Sequence, residues 1–251
     1  KVDKILHKGF INDTIYIHEI KLLMPSNFQP LPRLKAKQVR EYGKQYYINE
    51  QGIRLPSVTT ILSATKPQED RDRLAQWQQR VGVEEAYRIS STAGRRGTGT
   101  HKHIERYLLG EDVICPDGIK PYWESVEPVL QEIEDVRLVE GNIFHYDLRY
   151  AGRVDCVASY RGVPCVCDWK TADSPKGSVE RLYDYPIQLA AYAGAVNHSY
   201  QDCGIEINHA MLVVAIPEMP AEVFWFEPAV VMDYWCRWQE RVKTFWQRQS
   251  W

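Results

Sequence analysis

Several features that mark common classes of protein are missing from this 251-residue sequence. No apolar run approaches the roughly 20 residues that a membrane-spanning helix needs, so we expect no membrane partner. The six cysteines form no C-x-x-C pair, which leaves zinc ribbons and thioredoxin-like redox motifs without support. The net charge is only −2, so an anionic partner has to be bound by a local patch and not by the charge of the whole chain.

What is present is the composition of an ordinary globular protein, with 44% hydrophobic and 25% charged residues. We expect an N-terminal region of strand, hairpin and linker at residues 1–54 and a main domain at residues 55–251. In the first region the predicted elements are a strand within Ile5–Leu23, a proline-rich connector at Met24–Leu34 and a hairpin at Tyr42–Leu55 that turns near Gln51-Gly52.

The most informative stretch is Ala151–Asp173, which has the pattern of two β-strands joined by a tight turn. Val154–Tyr160 and Val163–Trp169 are both short and rich in β-branched, apolar and aromatic residues. Arg161-Gly162 lies between them, and glycine readily takes the positive φ that a two-residue hairpin loop requires. The pattern therefore predicts an antiparallel hairpin.

A two-residue loop places two aspartates opposite each other. Asp155 then faces Asp168 with Cβ atoms roughly 4.5–5.5 Å apart, and Lys170 shares their face because side chains alternate along a strand. Two carboxylates this close repel unless a cation lies between them, and hard divalent ions prefer such oxygen ligands. A three-residue loop beginning at Tyr160 would instead send the two carboxylates to opposite faces. The predicted metal site therefore requires the two-residue loop, or another loop that keeps Asp155 and Asp168 on the same face of the sheet.

Helices are expected before this hairpin. Ser57 follows a proline and is a good N-cap for a short helix. A second helix is predicted over Glu69–Val81, with Leu74 and Trp77 on its buried side.

The segment Glu84–Leu109 is helical at both ends, but its glycine-rich stretch A-G-R-R-G-T-G-T predicts an interruption. A glycine-rich turn that opens a helix presents backbone N–H groups to phosphate, and Arg95-Arg96 add positive charge there. Beyond the turn, His101 and Glu105 share one helix face, so His101 either ligates a metal or pairs with Glu105.

The remaining elements follow from periodicity. A helix is predicted over Tyr122–Glu134, a strand over Val136–Gly141, and a helix from Pro186 that carries Gln188 and Tyr192 four residues apart. The apolar run Ile207–Ile216 predicts a strand buried on both faces. Another strand is expected at Ala221–Phe226, and the final helix, Ala229–Trp251, carries an aromatic stripe that we interpret as core: Trp235, Trp238, Phe245 and Trp246.

Four short motifs follow one another along the chain: Gly97-Thr98-x-x-His101-x-x-x-Glu105, Gly152-x-Val154-Asp155, Asp168-Trp169-Lys170 and Gln188-x-x-x-Tyr192. Each motif is loose, but their order and spacing together resemble the PD-(D/E)xK nuclease superfamily in its RecB-like branch. A finer resemblance is to the mitochondrial genome maintenance exonuclease family and its phage and bacterial relatives. It is carried by L-P-S-V-T-T-I-L at Leu55–Leu62, D-W-K-T at Asp168–Thr171 and the helix Pro186–His198.

The resemblance implies an α/β fold, with a central mixed β-sheet flanked by helices as a restriction-endonuclease-like core and an N-terminal helical elaboration. It implies a metal-dependent exonuclease that hydrolyses single-stranded DNA from free ends in replication, repair or recombination. The family's catalytic residues map to Asp155, Asp168 and Lys170. Its metal ligands map to Asp155, Asp168, the backbone carbonyl of Trp169 and His101. Residues expected to support the site or to contact DNA are Glu105, Gln188, Tyr192, Thr171, Thr98, Arg95, Arg96 and Ser57. The helices of residues 55–109 are expected to form an arch over the DNA strand.

The implied cofactor is Mg²⁺ or Mn²⁺, as one or two ions. Iron–sulfur relatives use a spaced cysteine quartet that Cys203 and Cys236 do not reproduce, so we expect no cluster. We expect a monomer that binds single-stranded DNA. The N-terminus lacks a signal-peptide core and transit-peptide composition, which favours the cytoplasm of a bacterial or phage-infected cell, or the mitochondrial matrix if a transit segment has been removed.

Two other hypotheses stay open. One is a structure-specific, flap-type endonuclease with the same core. The other is a catalytically inactive accessory protein that binds single-stranded DNA. The complete set of Asp155, Asp168 and Lys170 argues against the second, because a decayed site usually loses one of its residues.

Overall fold

A computed structural model describes residues 29–249 of the chain. The predicted strand within Ile5–Leu23 lies outside the described residues, and the division at residue 54 stays a prediction. The strands are β1 (Ala36–Glu41), β2 (Lys44–Asn49), β3 (Arg54–Pro56), β4 (Ile133–His145), β5 (Tyr150–Tyr160), β6 (Val163–Thr171), β7 (His209–Ile216) and β8 (Met219–Phe226). The α-helices are α1 (Val58–Ala64), α2 (Gln68–Val81), α3 (Val83–Leu108), α4 (Lys120–Leu130), α5 (Tyr185–Ser199) and α6 (Pro228–Gln247).

A five-stranded mixed sheet in the order β4-β5-β6-β7-β8 forms the centre of the fold. Its pairs are antiparallel except β6–β7, which is parallel. A parallel pair needs a crossover connection, and α5 lies in the connection between β6 and β7. Strands β1, β2 and β3 form a separate small sheet, which includes the predicted hairpin turning near Gln51-Gly52. The predicted fold class, a mixed sheet flanked by helices, is confirmed.

The two faces of the sheet are covered by different helices, as the alternation of side chains along β7 illustrates. Leu212, Val214 and Ile216 belong to a core shared with α1, α5 and α6. Met211 and Val213 belong to a second core shared with α3 and α4. Burial on both faces explains why this strand is an almost continuous apolar run, as the sequence predicted.

The aromatic residues of α6 serve as core, which confirms their interpretation. The side chains of Trp238 and Phe245 are 0% and 2% exposed, and Trp235 and Trp246 pack partly buried against the same core. Among the described residues, no helix is both long and apolar enough to cross a membrane.

Two predictions about the helices before the hairpin were wrong. The glycine-rich stretch is not a turn, because α3 runs unbroken for 26 residues from Val83 to Leu108. A Cβ at Gly99 would lie 3.1 Å from Ile119, so this glycine permits close packing rather than phosphate binding at a helix start. Helix α2 has no buried residue, and Leu74 is 46% exposed. Because none of its residues is buried, the apolar side chains of this helix do not belong to a core.

Candidate active site

The hairpin of β5 and β6 has the two-residue loop that the metal hypothesis requires. Tyr160 pairs with Val163, and both loop residues, Arg161 and Gly162, have positive φ, as type I′ hairpin turns demand. The ladder continues in the same register to the pair Cys156–Cys167. The three-residue alternative is therefore wrong, and the next residue along each strand is one of the two aspartates.

Asp155 and Asp168 are both buried, at 9% and 1% exposure. The backbone N–H of Trp169 donates a hydrogen bond to Asp155 Oδ2 over 3.0 Å, which ties one carboxylate to the strand that carries the other. Burial and the nearby negative charge of Asp168 raise the pKa of Asp155 to about 7, although His101 and Lys170 act in the opposite direction. The arrangement thus disfavours two negative charges unless a cation offsets them.

Lys170 supplies part of the positive charge, since its ammonium forms an ion pair with Asp168. Burial lowers the pKa of Lys170, but the carboxylates of Asp168 and Asp155 outweigh it and hold the pKa above its usual value. The side chain is therefore a cation at neutral pH. Apart from this ion pair, neither carboxylate oxygen of Asp168 has a hydrogen-bond donor among the described residues.

His101 reaches this group from α3. Its Nδ1 lies 3.3 Å from Asp155 Oδ2 and 3.9 Å from Glu140 Oε1. Burial lowers the pKa of His101, but the negative charge of Asp155 and a hydrogen bond with Glu140 raise it by more. The pKa of His101 therefore lies above its usual value. Among the described residues, the ion-pair contacts of His101 are with Asp155 and Glu140 and not with Glu105; that His101 ligates a metal ion stays a prediction.

Glu140 is a site residue that the sequence analysis missed. It lies on β4 between the pairs Val139–Cys156 and Gly141–Val154, so it stands opposite Asp155 across the strands. Its side chain is only 16% exposed and also forms an ion pair of 2.7 Å with Arg153. The available signal was an acidic residue before glycine within a predicted strand, but the pairing of β4 with β5 was not deducible from it.

Gln188 and Tyr192 lie behind the aspartates on α5, and Gln188 Nε2 donates to the Tyr192 hydroxyl over 2.7 Å. Burial, Asp168 and Asp155 raise the pKa of Tyr192 far above its usual value, so the phenol stays neutral. A Cβ at Gly152 would lie 2.9 Å from the Tyr192 ring. The glycine of one motif therefore makes room for the tyrosine of another.

The predicted phosphate contacts divide into two kinds. Arg96 is largely buried and holds α3 against the sheet: its Nη1 donates to the Tyr122 hydroxyl over 2.9 Å, its Nε donates to Thr171 Oγ1 over 3.3 Å, and it forms an ion pair with Asp173. Arg95 is exposed. The Arg96 guanidinium is thus engaged in contacts within the fold. Of the two arginines, Arg95 is the one with its guanidinium outside this network.

The other predicted residues lie near the site or support it from a distance. Thr98 and Glu105 line a cavity of about 390 Å³ that His101 and Glu140 also border. Ser57 is buried and caps α1, its hydroxyl accepting from Thr60 N over 3.0 Å. The Trp169 ring packs in the second core at 2% exposure. The roles assigned to these residues stay predictions.

The residues present suit a divalent cation. Two buried carboxylates lie beside a histidine. Among the described residues, Asp168 Oδ1 has no hydrogen-bond donor and Asp168 Oδ2 contacts only the Lys170 ammonium, so both oxygens can accept a metal ion. Asp155, Asp168 and His101 are the side chains placed to hold it. Nucleases of the family that the motifs resemble use such ions.

The sequence of this chain is similar to those of known proteins. The chain matches the model of the PD-(D/E)XK nuclease superfamily over residues 60–248. It is 34% identical over 204 residues to mitochondrial genome maintenance exonuclease 1 of Mus musculus, covering 78% of this chain and 60% of that protein. The Homo sapiens protein of the same name is 30% identical over 205 residues, covering 78% and 59% respectively.

The chain thus spans less than two thirds of the length of these curated relatives. The crystal structure of a candidate exonuclease from Eubacterium rectale is also similar, with a TM-score of 0.42 and 14% identity over 61% of this chain and 65% of that one. The family assignment rests on the sequence match, which covers most of the chain. On this evidence the chain belongs to the PD-(D/E)XK nuclease superfamily.

Proposed function

We propose that this protein is a Mg²⁺- or Mn²⁺-dependent exonuclease that hydrolyses single-stranded DNA from free ends. The observation that carries the proposal is the buried group of Asp155, Asp168, His101 and Lys170, assembled from three separate elements around one point. Such a group is costly to the stability of the fold and has a chemical use only when a cation and a phosphate complete it.

The chemistry is phosphodiester hydrolysis. A bound divalent cation supplies polarisation of the scissile phosphate and a water of lowered pKa. The Lys170 ammonium, which Asp168 and Asp155 hold in its charged form, would orient the attacking water and offset the negative charge that grows in the transition state. Asp155 is held in place by the backbone of Trp169, which limits reorganisation during the reaction.

Preference for a single strand is supported by the side chains that line a cavity beside α2. A cavity of about 500 Å³ between α2 and the segment before α5 is lined by three cations and two aromatic rings, Lys66, Arg73, Arg80, Trp77 and Tyr183, together with Leu74 and the carboxylates Asp70 and Asp184. Cations that follow a backbone and rings that stack on bases together favour single strands without sequence preference. Tyr185, two residues beyond Tyr183 in the chain, lies with its ring centroid 4.9 Å from the Lys170 ammonium.

Dependence on free ends is supported by the relatives, whose name describes an exonuclease. The decisive assay compares linear single strands, duplexes, flap substrates and closed single-stranded circles, each with Mg²⁺ and with chelator. We expect rapid digestion of linear single strands that stops with chelator, and intact circles. Efficient cutting of circles or flaps would establish the endonuclease hypothesis instead. Tight binding without any cleavage would establish the inactive accessory protein.

A further inference from the structure

A cavity of about 420 Å³ lies between the tip of the hairpin β1–β2 and helix α1. We propose that this cavity binds a backbone phosphate of single-stranded DNA, away from the phosphate that is cleaved, and that the ring of Tyr42 beside it stacks on a base. The inference deepens the proposed function and rests on it, because it assigns a second contact between the same DNA strand and the protein.

The charge around the cavity suits an anion. Arg40 and Lys44 border it, and among the described residues that line it there is no carboxylate. Within the part of the chain that the structure describes, neither cation forms an ion pair. The neighbouring acid, Glu41, is bound instead by Arg54 over 2.5 Å. Both positive charges are therefore available to a phosphate.

Helix α1 adds hydroxyl groups to the opposite wall. Thr59 and Ser63 are exposed, lie four residues apart on one face of the helix and both line the cavity. The next hydroxyl, that of Thr60, accepts from Gln45 N over 2.8 Å and donates to the Gln45 carbonyl over 3.1 Å. These two bonds hold α1 against β2, so the width of the cavity is fixed by the fold.

Tyr42 presents an aromatic ring at the rim of the cavity. It occupies the first position of the two-residue loop between β1 and β2, and both loop residues, Tyr42 and Gly43, have positive φ, at 49° and 76°. Asparagine or glycine is usual at that position, because a bulky residue is strained there. The Tyr42 side chain is 101% exposed, so packing within the described fold does not explain it. Stacking on a base gives the ring a use that tolerates any sequence.

The small sheet that carries this site adjoins the active centre. Burial raises the pKa of Tyr47 on β2 to about 12, and the positive charge of Arg153 offsets part of that rise. Ser57, directly before α1, pairs with Ala151 of β5. Ala151 precedes Asp155 by four residues, or about 13 Å of strand. A few nucleotides of extended single strand can therefore connect the two sites.

The test is a titration of the full chain with oligothymidylate of about 20 nucleotides in chelator, which prevents digestion. Arg40→Ala combined with Lys44→Ala should weaken binding about tenfold and lower the slope of log affinity against log salt by about 0.7, the value for one phosphate of a single strand. With Mg²⁺, the same variant should digest the strand with a raised KM and an unchanged kcat, because the cleaved phosphate is bound elsewhere.

Lys35→Ala combined with Lys37→Ala is the matched control. It removes the same charge from the small sheet outside the cavity, and it should change affinity by less than about twofold, because exposed charges at a distance are screened. Tyr42→Asn removes the ring but keeps a residue that tolerates positive φ. It should weaken binding about fivefold or more and leave the salt slope unchanged.

Equal losses in the two double variants, no loss in the first, or no binding by the unaltered protein would overturn the phosphate site. Unchanged affinity in Tyr42→Asn would overturn the stacking role. Thermal unfolding shows whether each variant is folded; if the first is not, Arg40→Gln with Lys44→Gln keeps the side-chain length and should show the same loss. A protein that digests no DNA but shows these losses would refute the proposed function and leave this site standing.

Discussion

The backbone N–H of Trp169 donates to Asp155 Oδ2 over 3.0 Å, so strand β6 orients a carboxylate that belongs to strand β5. The same strand carries Asp168 and Lys170 on either side of that N–H. The position of Asp155 relative to these two side chains is therefore set by main-chain geometry, which is stiffer than any side-chain contact. This rigidity is the physical basis of the predictions that follow.

Asp155→Asn should separate stability from catalysis. The amide oxygen of the asparagine can still accept the hydrogen bond from Trp169 N–H. The substitution removes the negative charge that Asp168 repels, so the metal-free protein should be stabilised by about 1–3 kcal/mol. Nuclease activity should fall by about 1,000-fold or more, because the cation loses a ligand worth several kcal/mol. Thermal unfolding in chelator and digestion with Mg²⁺ measure the two effects. A destabilised but active variant would contradict the assignment.

Lys170→Met should reduce kcat by about 100- to 1,000-fold, because one charge aimed at the transition state is removed. The methylene stem is preserved, so packing changes little. Mn²⁺ affinity should not decrease, since the lysine competes with the cation for Asp168. Single-turnover digestion and a Mn²⁺ titration provide both values, and a folded variant with near-native kcat would remove Lys170 from the mechanism.

Gly152→Ala should destabilise the protein by about 1–3 kcal/mol, because its Cβ would lie 2.9 Å from the Tyr192 ring in a closely packed core. The displaced ring should also disturb its hydrogen bond with Gln188 and lower activity. Chemical denaturation measures the loss.

Gly97→Ala is the matched control for this prediction. A Cβ there would lie at an ordinary 3.8 Å from Thr171 Oγ1, inside helix α3. Stability should be unchanged or should rise by up to about 1 kcal/mol, since alanine favours a helix. Equal losses in both variants would show that the Tyr192 contact is not the cause.

Arg96→Ala and Arg95→Ala should differ although the residues are adjacent. The first breaks the bonds to Tyr122, Thr171 and Asp173, which should cost about 1–3 kcal/mol of stability. The second should leave the melting temperature unchanged and weaken DNA binding, with a shallower dependence of affinity on salt. Melting curves and DNA titrations at several salt concentrations compare them. A destabilised Arg95→Ala with normal DNA binding would reverse the two roles.

Local sequence determined those parts of the protein in which a residue's neighbours along the chain decide its conformation. Arg161-Gly162 sets the parity of the hairpin, and this parity alone brings Asp155 and Asp168 together, because strand side chains alternate strictly. Ser57 caps α1 as its sequence context predicted. The continuous apolar run of β7 likewise predicted that this strand is buried on both faces.

The tertiary structure decided the features that depend on contacts distant in sequence. The helix α3 passes through three glycines because packing against Thr171 and Ile119 outweighs their poor helix propensity. Arg96 is drawn into the fold by Asp173, 77 residues away. Glu140 reaches His101 and Asp155 only once β4 pairs with β5, and no local pattern encodes that register, since it arises from burying both strands under the same helices.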